Sequence, residues 1–448
     1  MFDRLINSQK EAIRSVLLNS HLKELLAGST IAFVFSVLGA GGGYIFAYIV
    51  SNTYGTRGMG VYSLTYSVLV ILEILGTLGF RNSILRFVGH YYSENNHKAI
   101  RGIYHQMLRI SSPIALLFSV LLALFSYQIA TLIFHDIILR SAFLILSLMT
   151  PFYVINALNV ELIRSLRNIP LSEYLRDLNK PIFCILTLLV LNRLWSNVYA
   201  PLISLGISFI VAFFISSIYL RKKLNSLSRE SERLLSNREL AKISFSMMIT
   251  AFSFLIMGQL DLLMLGMFST TENAGVYSVA VRLATVTSYV LFALNIIAAP
   301  KFAELYWSKN FSALKDIVRF ATKITFWCSL PFLLAYGLFP GFFMGIFGTE
   351  FTKGRTALIF LAIGQFINST SGIVGQFLNM TGRQQIFRNI VLMAAFIDLL
   401  LCYILIPKYG INGAAVATMS SLIFWNVVSV LVVRKADKIN TFYFPFLS

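Results

Sequence analysis

The sequence predicts an all-α membrane protein, with twelve transmembrane helices in two homologous six-helix bundles around a central cavity. Three observations carry this expectation. Of the 448 residues, 57% are apolar and only 12% charged. A soluble domain is nearer half apolar and a quarter charged, so too few charges are present to cover a water-facing surface. The apolar stretches are of bilayer length and continuous rather than alternating with period two, which favours helices over a barrel. The chain also repeats itself at one fixed offset.

The elements follow in order. Residues 1–29 carry Arg4, Lys10, Arg14 and Lys23 among apolar residues such as Leu5, Ile13 and Leu17. Charges run almost to the first span and no small-residue cleavage site follows, so the segment reads as an interfacial amphipathic helix rather than a cleaved signal. Apolar runs then appear near 30–51, 60–86, 110–134, 141–163, 177–192, 195–220, 243–268, 274–300, 324–348, 356–381, 389–407 and 410–433. The fifth is short. Its uncharged stretch between Lys180 and Arg193 gives roughly 18 Å of helix, less than the hydrocarbon core, so it must extend back past Lys180 and Asp177 or be tilted or shielded. The glycines at Gly39, Gly41, Gly42 and Gly43 interrupt the first span. No Gly-Lys-Ser/Thr follows, so close packing or a bend is the better reading than a phosphate loop. Pro331 and Pro340 predict kinks in the ninth span.

Charge sets the orientation. Lys and Arg number 37 against 19 Asp and Glu. With the N-terminus inside, twenty-nine of the basic residues fall in inside segments, Lys180 among them, and six in outside loops. The largest group lies in the central stretch 221–242. This bias places both termini in the cytoplasm and accounts for the net charge of +18 without nucleic acid.

The repeat relates Gly60-Val61-Tyr62-Ser63 to Gly275-Val276-Tyr277-Ser278, and the same offset aligns Arg86 with Lys301, Tyr91 with Tyr306 and Asn95 with Asn310. An even number of spans per half gives both halves one orientation. The expected organisation is a bundle over 30–220, a basic linker over 221–242, a bundle over 243–433 and a tail over 434–448. Paired bundles of this kind suggest a cavity between them and alternating access.

Residue-level likeness is concentrated in two places. The segment Asp261-Leu262-Leu263-Met264-Leu265-Gly266, then Gly275-Val276-Tyr277, Arg282, Pro300 and Leu305-Tyr306, resembles the seventh and eighth spans of polysaccharide flippases. The stretch from Ile406-Pro407-Lys408-Tyr409-Gly410 to Ile411-Asn412-Gly413-Ala414-Ala415 resembles their eleventh-to-twelfth turn. These are the Wzx-type translocases of the multidrug/oligosaccharidyl-lipid/polysaccharide exporter superfamily. The resemblance implies a V-shaped transporter with a central, often cationic, cavity. It implies outward movement of an undecaprenyl-diphosphate-linked oligosaccharide, such as an O-antigen unit, across the inner membrane for surface polysaccharide biosynthesis. The alternative is an ion-coupled multidrug or small-molecule exporter of the same superfamily. The substrate and membrane lipids are the expected partners, with other polysaccharide-assembly proteins beside them. No cofactor is expected beyond Na+ or H+ as coupling ion.

Five buried charges are the candidate site residues. Asp261 and Arg282 each lie about ten residues from the outer turn at 269–273, roughly 15 Å deep near the midplane. A lone charge there costs on the order of 3 kcal/mol. They either neutralise each other and lock two helices, or line the cavity, Arg282 meeting an anionic substrate and Asp261 a coupling cation. Arg81, on one helical face with Glu73, either meets the diphosphate through its bidentate fork or snorkels to the interface. Asp398 sits mid-span in the eleventh helix, as an ion-coupling group or a polar contact to a neighbouring helix. Glu161 reads as interfacial.

Chemistry other than transport finds little support. Cys184, Cys328 and Cys402 sit singly in apolar runs without metal-ligand spacing. His21, His90, His97, His105 and His135 lie in loops or at span ends, and no aqueous loop is large enough for a catalytic domain, so no enzyme is expected.

Overall fold

The computed structural model describes residues 20–228, 230–232, 236–437, 439, 441–443 and 445. Most of the predicted amphipathic segment, 1–19, lies outside the described residues. Among the described residues every regular element is helical. The main helices are α1 (Ser20–Thr77), α2 (Phe80–Ser93), α3 (His97–Leu124), α4 (Ile138–Ser165), α5 (Asn179–Leu194), α6 (Ala200–Leu227), α7 (Asn237–Phe268), α8 (Thr271–Val286), α9 (Tyr289–Trp307), α10 (Phe311–Leu338), α11 (Arg355–Thr370), α12 (Gln384–Tyr409) and α13 (Ile411–Asp437).

Seven helices among the described residues are long and apolar enough to cross a membrane singly, and an eighth span counts if the bent pair 349–370 and 374–380 is taken as one. Other expected spans fall on helices that are fused, broken or short. Run 30–51 and most of run 60–86 share α1, which bends at Gly55 (φ +64) and ends at Thr77; the break before α2 passes through Leu78 (φ +48) and Gly79 (φ +77), where a left-handed backbone suits a residue without a Cβ. Run 177–192 corresponds to α5, only 16 residues long. Pro331 does sit inside α10, but Pro340 opens the next short helix, Pro340–Gly345, because a proline suits a first turn whose N–H is unpaired anyway.

The helices form two lobes. In the first, α4 packs on α1, α3 and α6, and α5 on α6; in the second, α13 packs on α11 and α12, with α7 on α12 and α10 on α11. The lobes meet where α1 packs against α7 and α8. Three apolar clusters show how far this contact runs. One draws residues from both halves, including Met59, Leu139, Tyr277 and Phe351, near the end that carries the 269–273 turn. The other two are separate: Phe80, Ile103 and Leu220 in the first lobe, Phe302, Val374 and Val433 in the second. The lobes therefore share a core at one end; at the other their cores are mostly separate, and the start of α7 touches the first lobe, where Leu240 joins its cluster and the Ser83 and Ser244 hydroxyls bond at 2.7 Å.

The sequence repeat is the symmetry of this junction. Ser63 and Ser278, 215 residues apart, are joined by a hydroxyl–hydroxyl hydrogen bond of 2.9 Å. Arg57 and Glu272, at the same offset, pair at 3.5 Å. Gly60 and Gly275 are reciprocal: a Cβ on Gly60 would strike the Thr271 carbonyl, and one on Gly275 the Thr56 carbonyl. A pseudo-twofold axis passes between these pairs, and small residues let the two backbones touch across it.

Candidate functional site

A cavity of about 440 Å³ opens between the lobes. Its walls come from the two arms of α1, the turn before α5, α5 itself and α8. The glycine run on α1 shapes it. A Cβ on Gly39 would collide with the Asp177 carbonyl and one on Gly42 would stand 2.7 Å from Pro181, whereas Gly43 has open space and faces the cavity. Close packing therefore holds for Gly39 and Gly42, while Gly41, like Gly43, meets nothing within 4 Å. Residues Tyr174–Leu178 form a π-helical turn, a widened turn common at functional sites. It brings Arg176 and Asp177 to the wall, with Lys180 one turn on.

Three cations and one carboxylate line the space: Arg176, Lys180 and Arg282 against Asp177. Their surroundings differ. Arg176 pairs with Glu173 and, through Nε, with Asp177 at 3.4 Å, and Asp177 also accepts from the Ser36 hydroxyl. Lys180 sits 3.7 Å above the Tyr66 ring centroid, a cation–π contact. Among the described residues, neither Lys180 nor Arg282 has a carboxylate within 4 Å. Aromatic rings complete the wall. Tyr62 and Tyr66 stack with centroids 6.1 Å apart, and Tyr44 meets Tyr289 edge-on at 6.4 Å. The Tyr44 hydroxyl also donates to the Arg282 carbonyl, tying the lobes together beside the guanidinium.

Asp261 and Arg282 do not pair. Asp261 is 4% exposed and accepts from the Tyr277 hydroxyl and from Thr418 Oγ1 at 2.9 Å. A second acid, Asp398, is 1% exposed on α12, the helix that packs on α7, and its Oδ1 has no hydrogen-bond partner. Equal depth on consecutive helices did not make a pair because α7 turns Asp261 into the second lobe while α8 turns Arg282 towards the cavity.

Arg81 is clamped. Its Nη1 meets Glu73 at 3.1 Å and its Nε meets Glu161 at 3.2 Å. Glu161 is not interfacial as expected; it is 4% exposed and stands in the first lobe with Glu73. The three border a smaller cavity of about 90 Å³ that shares Tyr66, Arg176 and Lys180 with the main one. Two carboxylates already offset the Arg81 charge, so it differs from Arg282 in the property a phosphate would use.

Lys180 is the residue that sequence reasoning passed over. It was counted with the inside-loop cations, yet it lines the cavity. The signal was the shortness of the fifth span, which required a charge at Lys180 to enter the membrane. Cys184 lines the same wall, Cys402 is buried and Cys328 exposed. Among the described residues no group of three or more His, Cys, Asp or Glu could hold a metal ion.

Comparison with known proteins places this architecture. The family model described as polysaccharide biosynthesis protein matches residues 25–306, and the MatE model matches 243–404. A membrane protein of Methanocaldococcus jannaschii, MJ1068, is 22% identical over 84% of this chain and 77% of its own length. The probable low-salt glycan biosynthesis flippase Agl15 of Haloferax volcanii is 26% identical over 36% of this chain and 34% of its own. In fold, the lipid II flippase MurJ in its inward closed conformation aligns with a TM-score of 0.73 at 14% identity, covering 91% of this chain and 87% of that one. The chain is a multi-pass membrane protein that belongs to the polysaccharide biosynthesis protein family, the polysaccharide flippases of the multidrug/oligosaccharidyl-lipid/polysaccharide exporter superfamily.

Proposed function

We propose that the chain carries an undecaprenyl-diphosphate-linked oligosaccharide from the cytoplasmic to the outer leaflet of the inner membrane by alternating access. The observation that carries this reading is the pair Lys180 and Arg282, two cavity cations with no carboxylate within 4 Å among the described residues. A diphosphate moved through a low-dielectric core needs its charge offset by groups that stay charged. Arg282 supplies a planar fork and Lys180 a compact ammonium. The Tyr44 and Tyr289 rings offer flat apolar faces for sugar rings, with hydroxyls at their edges. Arg81, held between Glu73 and Glu161, is assigned to the architecture of the first lobe instead of to the substrate.

In this reading both termini are cytoplasmic, 30–220 and 243–433 are the two six-helix bundles, and 221–242 links them. The shared core then lies on the outer side, so the cavity belongs to an inward-facing state. Asp261 and Asp398 are the coupling site: two buried carboxylates on the packed helices α7 and α12 are costly unless a proton or Na+ is taken up there. The MatE match favours a second reading, export of a small molecule. A cavity with three cations and one acid is a poor host for a cationic drug, which ranks this reading second. The experiment is removal of the gene followed by analysis of lipid-linked intermediates. Accumulation of an undecaprenyl-linked glycan on the cytoplasmic leaflet, reversed by the wild-type chain, supports the flippase. An unchanged intermediate pool with altered drug sensitivity supports the exporter.

A further inference from the structure

A further cavity, of about 320 Å³, lies away from the central one, between α3, α4 and α6 at the end of the first lobe that carries the basic linker. Its lining divides by chemistry. Arg101, His105, Arg221 and Asn225 form the rim, while Leu108, Ile155, Phe213 and Leu220 form the apolar wall. Among the described residues, no carboxylate lies within 4 Å of Arg101 or Arg221. Of the two linker acids nearby, Glu230 is engaged by Lys98, and Glu232 packs its backbone on Gly102 with no side-chain pair to Arg101 or Arg221 among the described residues. The deeper polar groups are satisfied within the lobe: Tyr104 donates to Asn159 Oδ1 at 2.6 Å, and the Asn159 amide donates to Ser217 at 3.0 Å. Arg101 also holds the linker, through Asn225 Oδ1 at 2.9 Å and the Ser228 carbonyl at 2.6 Å.

We propose that this cavity binds one anionic phospholipid of the adjoining leaflet, its phosphate between Arg101 and Arg221 and an acyl chain along Leu108, Ile155 and Phe213. Arginines with no carboxylate within 4 Å among the described residues, set above an apolar cleft at a helix end, complement that molecule in both charge and polarity, because each basic group near the surface attracts anionic headgroups while the cleft stays in hydrocarbon. The lipid thereby braces α3, α6 and the start of the linker between the lobes. This inference is independent of what the central cavity carries.

The test uses the full chain in detergent, with phosphatidylglycerol and phosphatidylcholine of the same acyl chains as probes and native mass spectrometry as readout. One phosphatidylglycerol should be retained preferentially, and Arg221→Gln should weaken its retention about fivefold. Arg101→Gln combined with Arg221→Gln should weaken it further. Because Arg101 also holds the linker, Arg221→Gln alone serves if the double variant fails to fold. Lys222→Gln with Lys223→Gln, which removes neighbouring charges that do not line the cavity, should leave retention intact. Equal retention of the two lipids, an equal loss in the Lys222/Lys223 variant, or displacement of the lipid by millimolar inorganic phosphate would overturn the proposal.

Discussion

Adding one methyl group at the pseudo-twofold axis should shift the balance between the two faces of the transporter. Gly275→Ala places a Cβ against the Thr56 carbonyl, and Gly60→Ala places one against the Thr271 carbonyl. The obstacle is backbone, which cannot swing away like a flexible side chain. Overpacking of this kind costs about 1–3 kcal/mol. The gain in helix propensity from glycine to alanine, about 1 kcal/mol, applies wherever the helix is intact and so cancels between conformations. The cost falls only on the conformation in which the lobes touch here. The population ratio should therefore move about 5–150-fold towards a state with this end parted. The assay is a distance distribution between spin labels at Ser196→Cys and Lys408→Cys, on turns of opposite lobes at this end, in a Cys328→Ser background. Both glycine variants should lengthen the distance, and to a similar degree because the contacts are reciprocal. Gly89→Ala, where a Cβ meets nothing within 4 Å, should leave it unchanged. A folded Gly275→Ala protein with the wild-type distribution would refute the argument that these glycines hold the shared end closed.

Three further outcomes follow from the charges and the orientation. Arg81→Gln should lower the yield of folded protein, since breaking a buried ionic cluster costs about 3–5 kcal/mol, and Glu73→Gln with Arg81→Gln should recover part of that loss; detergent-solubilised thermal unfolding checks it. Asp261→Asn should fold, because Tyr277 and Thr418 can still bond an amide oxygen, but should abolish the dependence of transport on an imposed Na+ or proton gradient. Retained gradient dependence would remove Asp261 from the coupling site. Reporter fusions after Lys438 and within 221–242 should both report cytoplasm, and a periplasmic signal from either would reverse the orientation.

The sequence reading and the structure agree where periodicity and spacing carry the information. The offset between Gly60 and Gly275 became the axis itself, with Ser63 bonded to Ser278. Arg282 faces the cavity as one of its two expected orientations required. The disagreements come from azimuth and from breaks. Depth along a helix follows from residue count, but each residue turns the side chain by about 100°, so the equal depth of Asp261 and Arg282 left open whether they face each other. Asp261 instead found Tyr277 and Thr418, residues 16 and 157 positions away. The breaks at Leu78-Gly79 and at Gly372, all with positive φ, are one or two left-handed residues inside apolar runs, where hydropathy alone gives no stop signal. Lys180 was hidden by a counting rule, since loop charge statistics assign a cation near a span end to water.

The most direct measurement of the central claim is flux of a fluorescent undecaprenyl-diphosphate oligosaccharide across proteoliposomes, followed by quencher access, for the wild type and for Lys180→Gln with Arg282→Gln. Charge-assisted hydrogen bonds are worth about 1.5–3 kcal/mol each, so loss of both cations should slow flux by more than about tenfold while folding and insertion persist. Lys180→Arg should keep most of the flux, and Arg282→Lys should lose part of it through loss of the bidentate fork. A doubly neutralised protein that folds, inserts and moves the lipid at the wild-type rate would contradict the assignment of these two cations to the diphosphate.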